Sequence, residues 1–514
     1  MNTPPSYKFV PIALAAVGMM LSAARAQAPL PDRPDPREIP LPKIKTTLGD
    51  LPGVDQLPVR KEMPDPLVMN DGTKVTTVEQ MKKRQQEIRT ILEYYHVGRM
   101  PPAPGNVKGT VTSSEDVKVD GVVKYKYRLI HLTFGPEEKL SLDVGIVSPA
   151  GDGPFPTVIQ FGGEPPGGAR LPTLAKGPLE GRGADILMPP ELALSGTQNP
   201  ARGARGGPPA APGVATASDP TASGVPAAPA AGRGRGGPSG FGGGNTASSF
   251  ANRYAQVLDH GYAVVSFNTN DCAEDTTLRL ADGSFAFRST RFFPAYPGYD
   301  WGIIGGWVWG AMRVVDYLQT DTVVDKTKLI ITGVSRNGKA AMIAGSFDDR
   351  IAMVAPGASS GLGTPAYRFS GGATTSHPSR GGKEGLTMMV RKYGNQFSPH
   401  LHQFWGQEEK LPYDAHWFPA LTAPRPFIML EGTQDQNVVH NGIKQTYLAA
   451  QSSYALFGAG ATAKLGVYWA DRPHGFGDTD WDGLLAFADK HLLGKRVSRA
   501  FDLFPADTEE TANK

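Results

Sequence analysis

An α/β fold with a mostly parallel central sheet is the class this sequence predicts, and three observations predict it. From residue 157 onward short apolar runs alternate with helical patterns, which is how the strands and crossover helices of a parallel sheet read. One of those strands runs straight into Gly333-Val334-Ser335, a tight strand-to-helix turn. The 514 residues are 40% hydrophobic and 20% charged, as expected of a globular chain able to bury a large core.

Composition also excludes several classes. A formal net charge of +3 gives no electrostatic reason for a nucleic-acid partner. The single cysteine, Cys272, rules out an intramolecular disulfide and Cys-rich zinc sites. There is no Gly-x-x-x-x-Gly-Lys-Ser/Thr loop and no strand–Gly-x-Gly-x-x-Gly–helix unit. His400, His402 and His416 fall close together but form no His-Glu-x-x-His, so the site calls for no metal.

The elements follow in order. Residues 1–26 have the pattern of a signal peptide: Lys8, an apolar run from Phe9 to Leu21, and Ala24-Arg25-Ala26 as the cleavage site. Cleavage after Ala26 predicts a secreted or periplasmic protein without a membrane span. Residues 27–75 are rich in proline and predict an extended arm lying on the main domain, which occupies 76–495. Helical spacing runs from Thr77 to His96, and residues 107–147 read as antiparallel strands with a turn at Gly135-Pro136. Strands are then expected at Thr157–Phe161, Tyr262–Phe267, Lys328–Thr332, Ile351–Ala355, Pro426–Leu430 and Lys464–Trp469. Helices are expected at Ile304–Leu318, Lys339–Phe347, Ile443–Ala455 and Trp481–Leu492. An insertion at 201–245, where 31 of 45 positions are Gly, Ala or Pro, interrupts the domain and has too little apolar surface to form a core. Residues 496–514 form a C-terminal tail.

The chemistry centres on Ser335. A buried strand, Gly-x-Ser and a following helix make a nucleophile elbow, and backbone N–H groups at the helix start favour an oxyanion. Here the second glycine, Gly338, falls one place later than in the common Gly-x-Ser-x-Gly. A serine needs a base, and the base needs an orienting acid. The loop after the strand Pro426–Leu430 supplies Asp435, with Glu431 and Asp471 as alternatives. His474, flanked by Pro473 and Gly475, lies between the last strand and the last helix, where the base of a Ser–acid–His chain order belongs.

Gly333-Val334-Ser335-Arg336-Asn337-Gly338-Lys339 resembles the Gly-Cys-Ser-Arg-x-Gly-Lys signature of the glucuronoyl esterases of carbohydrate esterase family 15. Trp307-Val308-Trp309-Gly310 is similar to that family's Trp-x-Trp-Gly helix, and Leu411 to His416 with Ala423 to Pro426 resembles its segment before the acid-bearing strand. The resemblance spans about residues 77–495 and implies a three-layer α/β/α-hydrolase fold with an open site. It implies hydrolysis of 4-O-methyl-D-glucuronoyl esters linking glucuronoxylan to lignin alcohols, without a cofactor. By position, Ser335 is implied as nucleophile, His474 as base, Arg336 as oxyanion stabiliser, and Lys339 as a donor to sugar hydroxyls. Val334 replaces a cysteine that many members tie into a disulfide. Some members carry the acid as a glutamate after the next strand; Pro356 to Gly361 holds none, which leaves the role to Asp435. Gln436 stands where fungal members have a tryptophan, and residues 380–397 give no clear match to the family's Gln and Glu sugar contacts. An acetyl esterase on the same triad, or a non-catalytic carbohydrate-binding relative, are the alternative functions.

Overall fold

The computed structural model describes residues 45–174, 187–188, 245–276, 279–280, 285–369 and 384–506. The expected signal peptide lies outside the described residues, and so does the 201–245 insertion apart from Asn245. Among the described residues no helix is long and apolar enough to cross a membrane.

The strands are β1 (Lys108–Val119), β2 (Val122–Phe134), β3 (Leu140–Pro149), β4 (Phe155–Phe161), β5 (Leu187–Met188), β6 (Ala263–Phe267), β7 (Arg279–Leu280), β8 (Val324–Val334), β9 (Met353–Gly357), β10 (Phe427–Gly432) and β11 (Leu465–Ala470). Nine of them form one sheet in the order β1-β2-β3-β6-β4-β8-β9-β10-β11, while β5 and β7 pair separately. From β6 to β11 every neighbour is parallel, and β1 to β3 add an antiparallel flank. The chain that leaves β4 toward the Gly/Ala/Pro-rich stretch returns into β6, and these two strands pair with each other.

The sheet is covered on both faces, which explains its nearly continuous apolar runs. Ile159, Phe161, Ile331 and Met429 face one layer with Trp307, Val308, Ile343 and Ile443. Their strand neighbours Val158, Ile330, Ile428 and Leu430 face the other, with Val257, Leu258, Leu484 and Phe487. This period of two, with helices on either side, makes the three-layer α/β/α-hydrolase arrangement. Burying each such aliphatic or aromatic side chain contributes about 1.5–3 kcal/mol.

Helix boundaries follow local chemistry. The helix Val78–Leu92 starts at a capping box: the Thr77 side chain accepts from the Gln80 N–H, and the Gln80 side chain accepts from the Thr77 N–H. The expected helix to His96 instead widens at Glu93–Val97 into a π-turn that ends at Gly98, whose φ is 88°. The helices after β8 and β10 start earlier than their apolar pattern suggests, at Arg336 and His440, because polar first turns carry no period.

Residues 45–75 lie along this frame. Leu48, Leu51, Val54, Leu57, Leu67 and Met69 pack on the core. The Tyr95 hydroxyl donates to Pro52 O at 2.5 Å, and Trp417 Nε1 donates to Pro64 O at 2.9 Å. At the opposite end of the chain the Val467 N–H donates to Phe501 O at 2.7 Å, and Phe501 stacks edge-on against Phe487.

Candidate active site

The carboxyl ends of β8, β9, β10 and β11 lie side by side, so the loops that leave them converge. Ser335 follows β8 directly. Its φ of 60° and ψ of −123° place it in a sparsely populated region, a strain of about 1–3 kcal/mol held by its surroundings. The Ser335 N–H donates to Gly357 O at the end of β9 at 2.9 Å.

The glycine that comes one place late has a steric reason. A Cβ on Gly338 would sit 2.5 Å from Gly357 O, so only glycine lets this helix close on β9. Asn337 fills the position where the common motif has its second glycine. Its side chain occupies the space above Gly162 at the end of β4, where φ is 86°. The departure at Asn337 is thus matched by a glycine on the neighbouring strand.

His474 follows β11, and its Nδ1 is 2.7 Å from Asp435 Oδ2. Asp435 is buried and fixed by the Asn437 N–H at 2.9 Å, while the histidine keeps a quarter of its side chain exposed. A carboxylate on Nδ1 fixes the tautomer that leaves Nε2 free to accept a proton. Phe476, two residues beyond His474, packs against Gly357, the residue that also receives the Ser335 N–H. The histidine loop therefore meets the elbow across the end of β9.

The alternative carboxylates are engaged elsewhere. Asp471 accepts from Thr433 Oγ1 at 3.1 Å and Gln434 Nε2 at 2.8 Å. Glu431, the penultimate residue of β10, is fully buried and accepts from Thr364 Oγ1 at 2.7 Å. Burial pushes the Glu431 carboxyl up to about 8, with the Asp435 charge adding and the Thr364 hydroxyl opposing. That upward shift favours the neutral acid, which is unsuited to stabilising an imidazolium.

Arg336 opens the helix after Ser335. It pairs through Nη1 with Asp275 Oδ2, and its guanidinium carbon lies 5.7 Å from the Tyr393 ring centre. Burial would lower its pKa, but the Asp275 and Tyr393 contributions outweigh that and the net direction is upward. Lys339, one helical turn beyond Ser335, is 1% exposed, and its Nζ donates to Ser360 Oγ at 3.4 Å. Ser360 in turn donates to Glu384 Oε2 at 2.5 Å. Burial pushes the Lys339 ammonium down to about 8, with Arg336 acting the same way and Glu384 opposing.

Three site residues escaped the reading of the sequence. Asp275 closes an acidic loop after β6, Ser360 sits in the loop after β9, and Glu384 lies in the 380–397 stretch that gave no match.

A serine on a strained elbow, with a His–Asp pair on the loops beyond it, is the arrangement that an α/β-hydrolase site calls for. The model of the family "Glucuronyl esterase, fungi" matches residues 246–458. Carbohydrate esterase MZ0003, from an unknown prokaryotic organism, is 25% identical over 453 residues, covering 84% of this chain and 90% of that protein. A 4-O-methyl-glucuronoyl methylesterase of Podospora anserina is 25% identical over 379 residues, 73% of this chain and 56% of its own length. Among solved structures, a promiscuous carbohydrate esterase family 15 esterase from a marine bacterial metagenome superposes with a TM-score of 0.59 at 22% identity, covering 85% of this chain and 98% of that one. The glucuronoyl esterase catalytic domain of Hypocrea jecorina gives 0.58 at 21% identity, covering 90% and 98%. These matches bear out the family resemblance: the chain is similar to glucuronoyl esterases in sequence and to family 15 esterases in fold, and it is a carboxylic ester hydrolase.

Proposed function

We propose that this chain is a serine esterase that cleaves 4-O-methyl-D-glucuronoyl esters, with lignin alcohols on glucuronoxylan as the leaving groups. The observation that carries the reading is the 2.7 Å pair of His474 Nδ1 and Asp435 Oδ2 on the loops facing the Ser335 elbow. The named methylesterase relatives supply the substrate class. Residues 1–26 would export the chain to where such polymers are found.

In this mechanism His474 Nε2 takes the proton of Ser335 Oγ as the oxygen attacks the ester carbonyl. The Ser335–carbon bond forms and the carbonyl π electrons move to its oxygen. That oxyanion is held by backbone N–H groups at the start of the helix and by the Arg336 guanidinium. When the tetrahedral adduct collapses, the alcohol leaves with the proton from His474. Water, deprotonated by the same histidine, then releases the free uronate and restores Ser335. Lys339, one helical turn beyond Ser335, is the donor read for the sugar hydroxyls, and the chemistry itself needs no cofactor.

The test is hydrolysis of benzyl glucuronate beside an acetylated sugar, with wild type and Ser335→Ala in parallel. Serine-dependent cleavage of the uronate ester supports the reading. Cleavage of the acetate alone keeps the triad and replaces the substrate. A broader carbohydrate esterase is the second reading, favoured because one structural neighbour is described as promiscuous. Loss of neither activity in Ser335→Ala removes the nucleophile assignment.

A further inference from the structure

Asp275 is the last residue of the acidic stretch Asn270 to Asp275 that follows β6, far in sequence from every residue assigned a role above. It is nevertheless fixed at three points. Its N–H donates to Asn270 Oδ1 at 3.0 Å. Its Oδ1 accepts from Gln396 Nε2 at 3.2 Å, and Gln396 is itself 2% exposed. Its Oδ2 pairs with Arg336 Nη1.

Arg336 needs such a partner. Its side chain is 43% exposed, so packing alone does not hold it. An arginine side chain has many rotamers, and a guanidinium that wanders is a poor oxyanion ligand. An ion pair through Nη1 removes that freedom beforehand and leaves the other guanidinium donors available. The Arg336 guanidinium carbon also lies over the Tyr393 ring, 5.7 Å from its centre.

We propose that Asp275, braced by Gln396, is a positioning residue that aims the Arg336 guanidinium at the oxyanion formed beside Ser335. The inference rests on the reading of Ser335 as nucleophile and Arg336 as oxyanion stabiliser. Its consequence has a definite sign. If Arg336 acted only as a diffuse positive charge, removing the neighbouring carboxylate would strengthen its field and raise the rate. If Asp275 acts by orientation, removing it lowers the rate, and only while Arg336 is present.

The experiment is a two-by-two comparison in the full chain: Asp275→Ala, Arg336→Ala, the double variant and wild type. Two readouts are used. One is kcat and KM on benzyl glucuronate; the other is the rate at which a fluorophosphonate labels the serine, a reaction that uses the same oxyanion site without needing the sugar. Asp275→Ala should lower kcat and the labelling rate by on the order of tenfold to a hundredfold. KM should stay within about twofold, the signature of an interaction made in the transition state. In the Arg336→Ala background the same substitution should cost nothing further. An unchanged or raised rate, or an equal loss in both backgrounds, overturns the proposal. Should Asp275→Ala fail to fold, Asp275→Asn, which keeps the shape and removes the charge, decides by the same comparison. The two levels separate cleanly. If Ser335→Ala leaves labelling intact, the site assignment itself has failed. If it abolishes labelling while Asp275 is silent, only the positioning role is lost.

Discussion

The Asp435 side chain is 0% exposed, while that of His474, whose Nδ1 lies 2.7 Å from Asp435 Oδ2, is 25% exposed. The carboxylate is thus fixed inside the protein and the imidazole is presented at its surface. This asymmetry suits a pair in which one member moves protons and the other holds its partner's orientation.

Removing either member should therefore have unequal effects. His474→Ala should reduce kcat to near that of Ser335→Ala, and Asp435→Ala should cost less, on the order of 10³–10⁴. Steady-state kinetics on benzyl glucuronate checks both. A silent Asp435→Ala beside a damaging Glu431→Ala would show that the acid has been misassigned.

Glu431 has its own signature in stability. Its folded pKa, about 8, lies above the ordinary 4.5, so between those values the folded state holds a proton that the unfolded state has lost. Stability contributed by this group is complete below pH 4.5 and falls as pH rises toward 8. Glu431→Gln cannot ionise and should remove that decline. The difference in Tm between the variant and wild type should accordingly grow in the variant's favour from pH 5 to 8. A difference that is flat with pH would mean Glu431 is already ionised in the fold.

Lys339 is expected to act on binding more than on the chemical step. A lost hydrogen bond from a charged donor costs about 1.5–3 kcal/mol. Lys339→Met, which preserves the buried stem, should raise KM for a glucuronate ester by about tenfold or more, with a smaller change in kcat. A loss confined to kcat would instead place the ammonium at the reacting carbonyl.

Gly338→Ala offers a test whose sign opposes ordinary helix propensity. Within a helix this change normally gains about 1 kcal/mol. Here the added carbon would meet Gly357 O at 2.5 Å, so the elbow and β9 must part. The variant should be less stable than wild type, by about 1–3 kcal/mol, and impaired in turnover, because Gly357 O also holds the Ser335 N–H. Thermal unfolding with activity on the same sample checks this, and a stabilised variant would contradict the packing account.

The parallel half of the sheet was legible because strands buried on both faces are written as unbroken apolar runs, as in Leu329-Ile330-Ile331. The places of Ser335 and His474 in the fold were legible because each follows a strand end beside turn residues. The acid was less so. Glu431 and Asp435 belong to one short stretch, and only the fold shows that Glu431 still belongs to β10 and points into the protein while Asp435 reaches the imidazole. Asp275, Ser360 and Glu384 were not legible, since loop residues carry no period and meet through tertiary packing. The loop after β9 illustrates why: Ala358, Ser360 and Leu362 have φ of 42°, 44° and 59°, a left-handed path that no glycine or asparagine at those positions announces.

The Val467 N–H held by Phe501 O belongs to the last strand of the sheet. A bare outer strand is a template on which another chain can add its own backbone, the route by which soluble proteins grow into aggregates. Residues outside the candidate site thus cover part of this edge. A chain shortened at 495 would keep Ser335, Asp435 and His474 and lose the cover over this rim, so its first failure is expected to be colloidal rather than chemical.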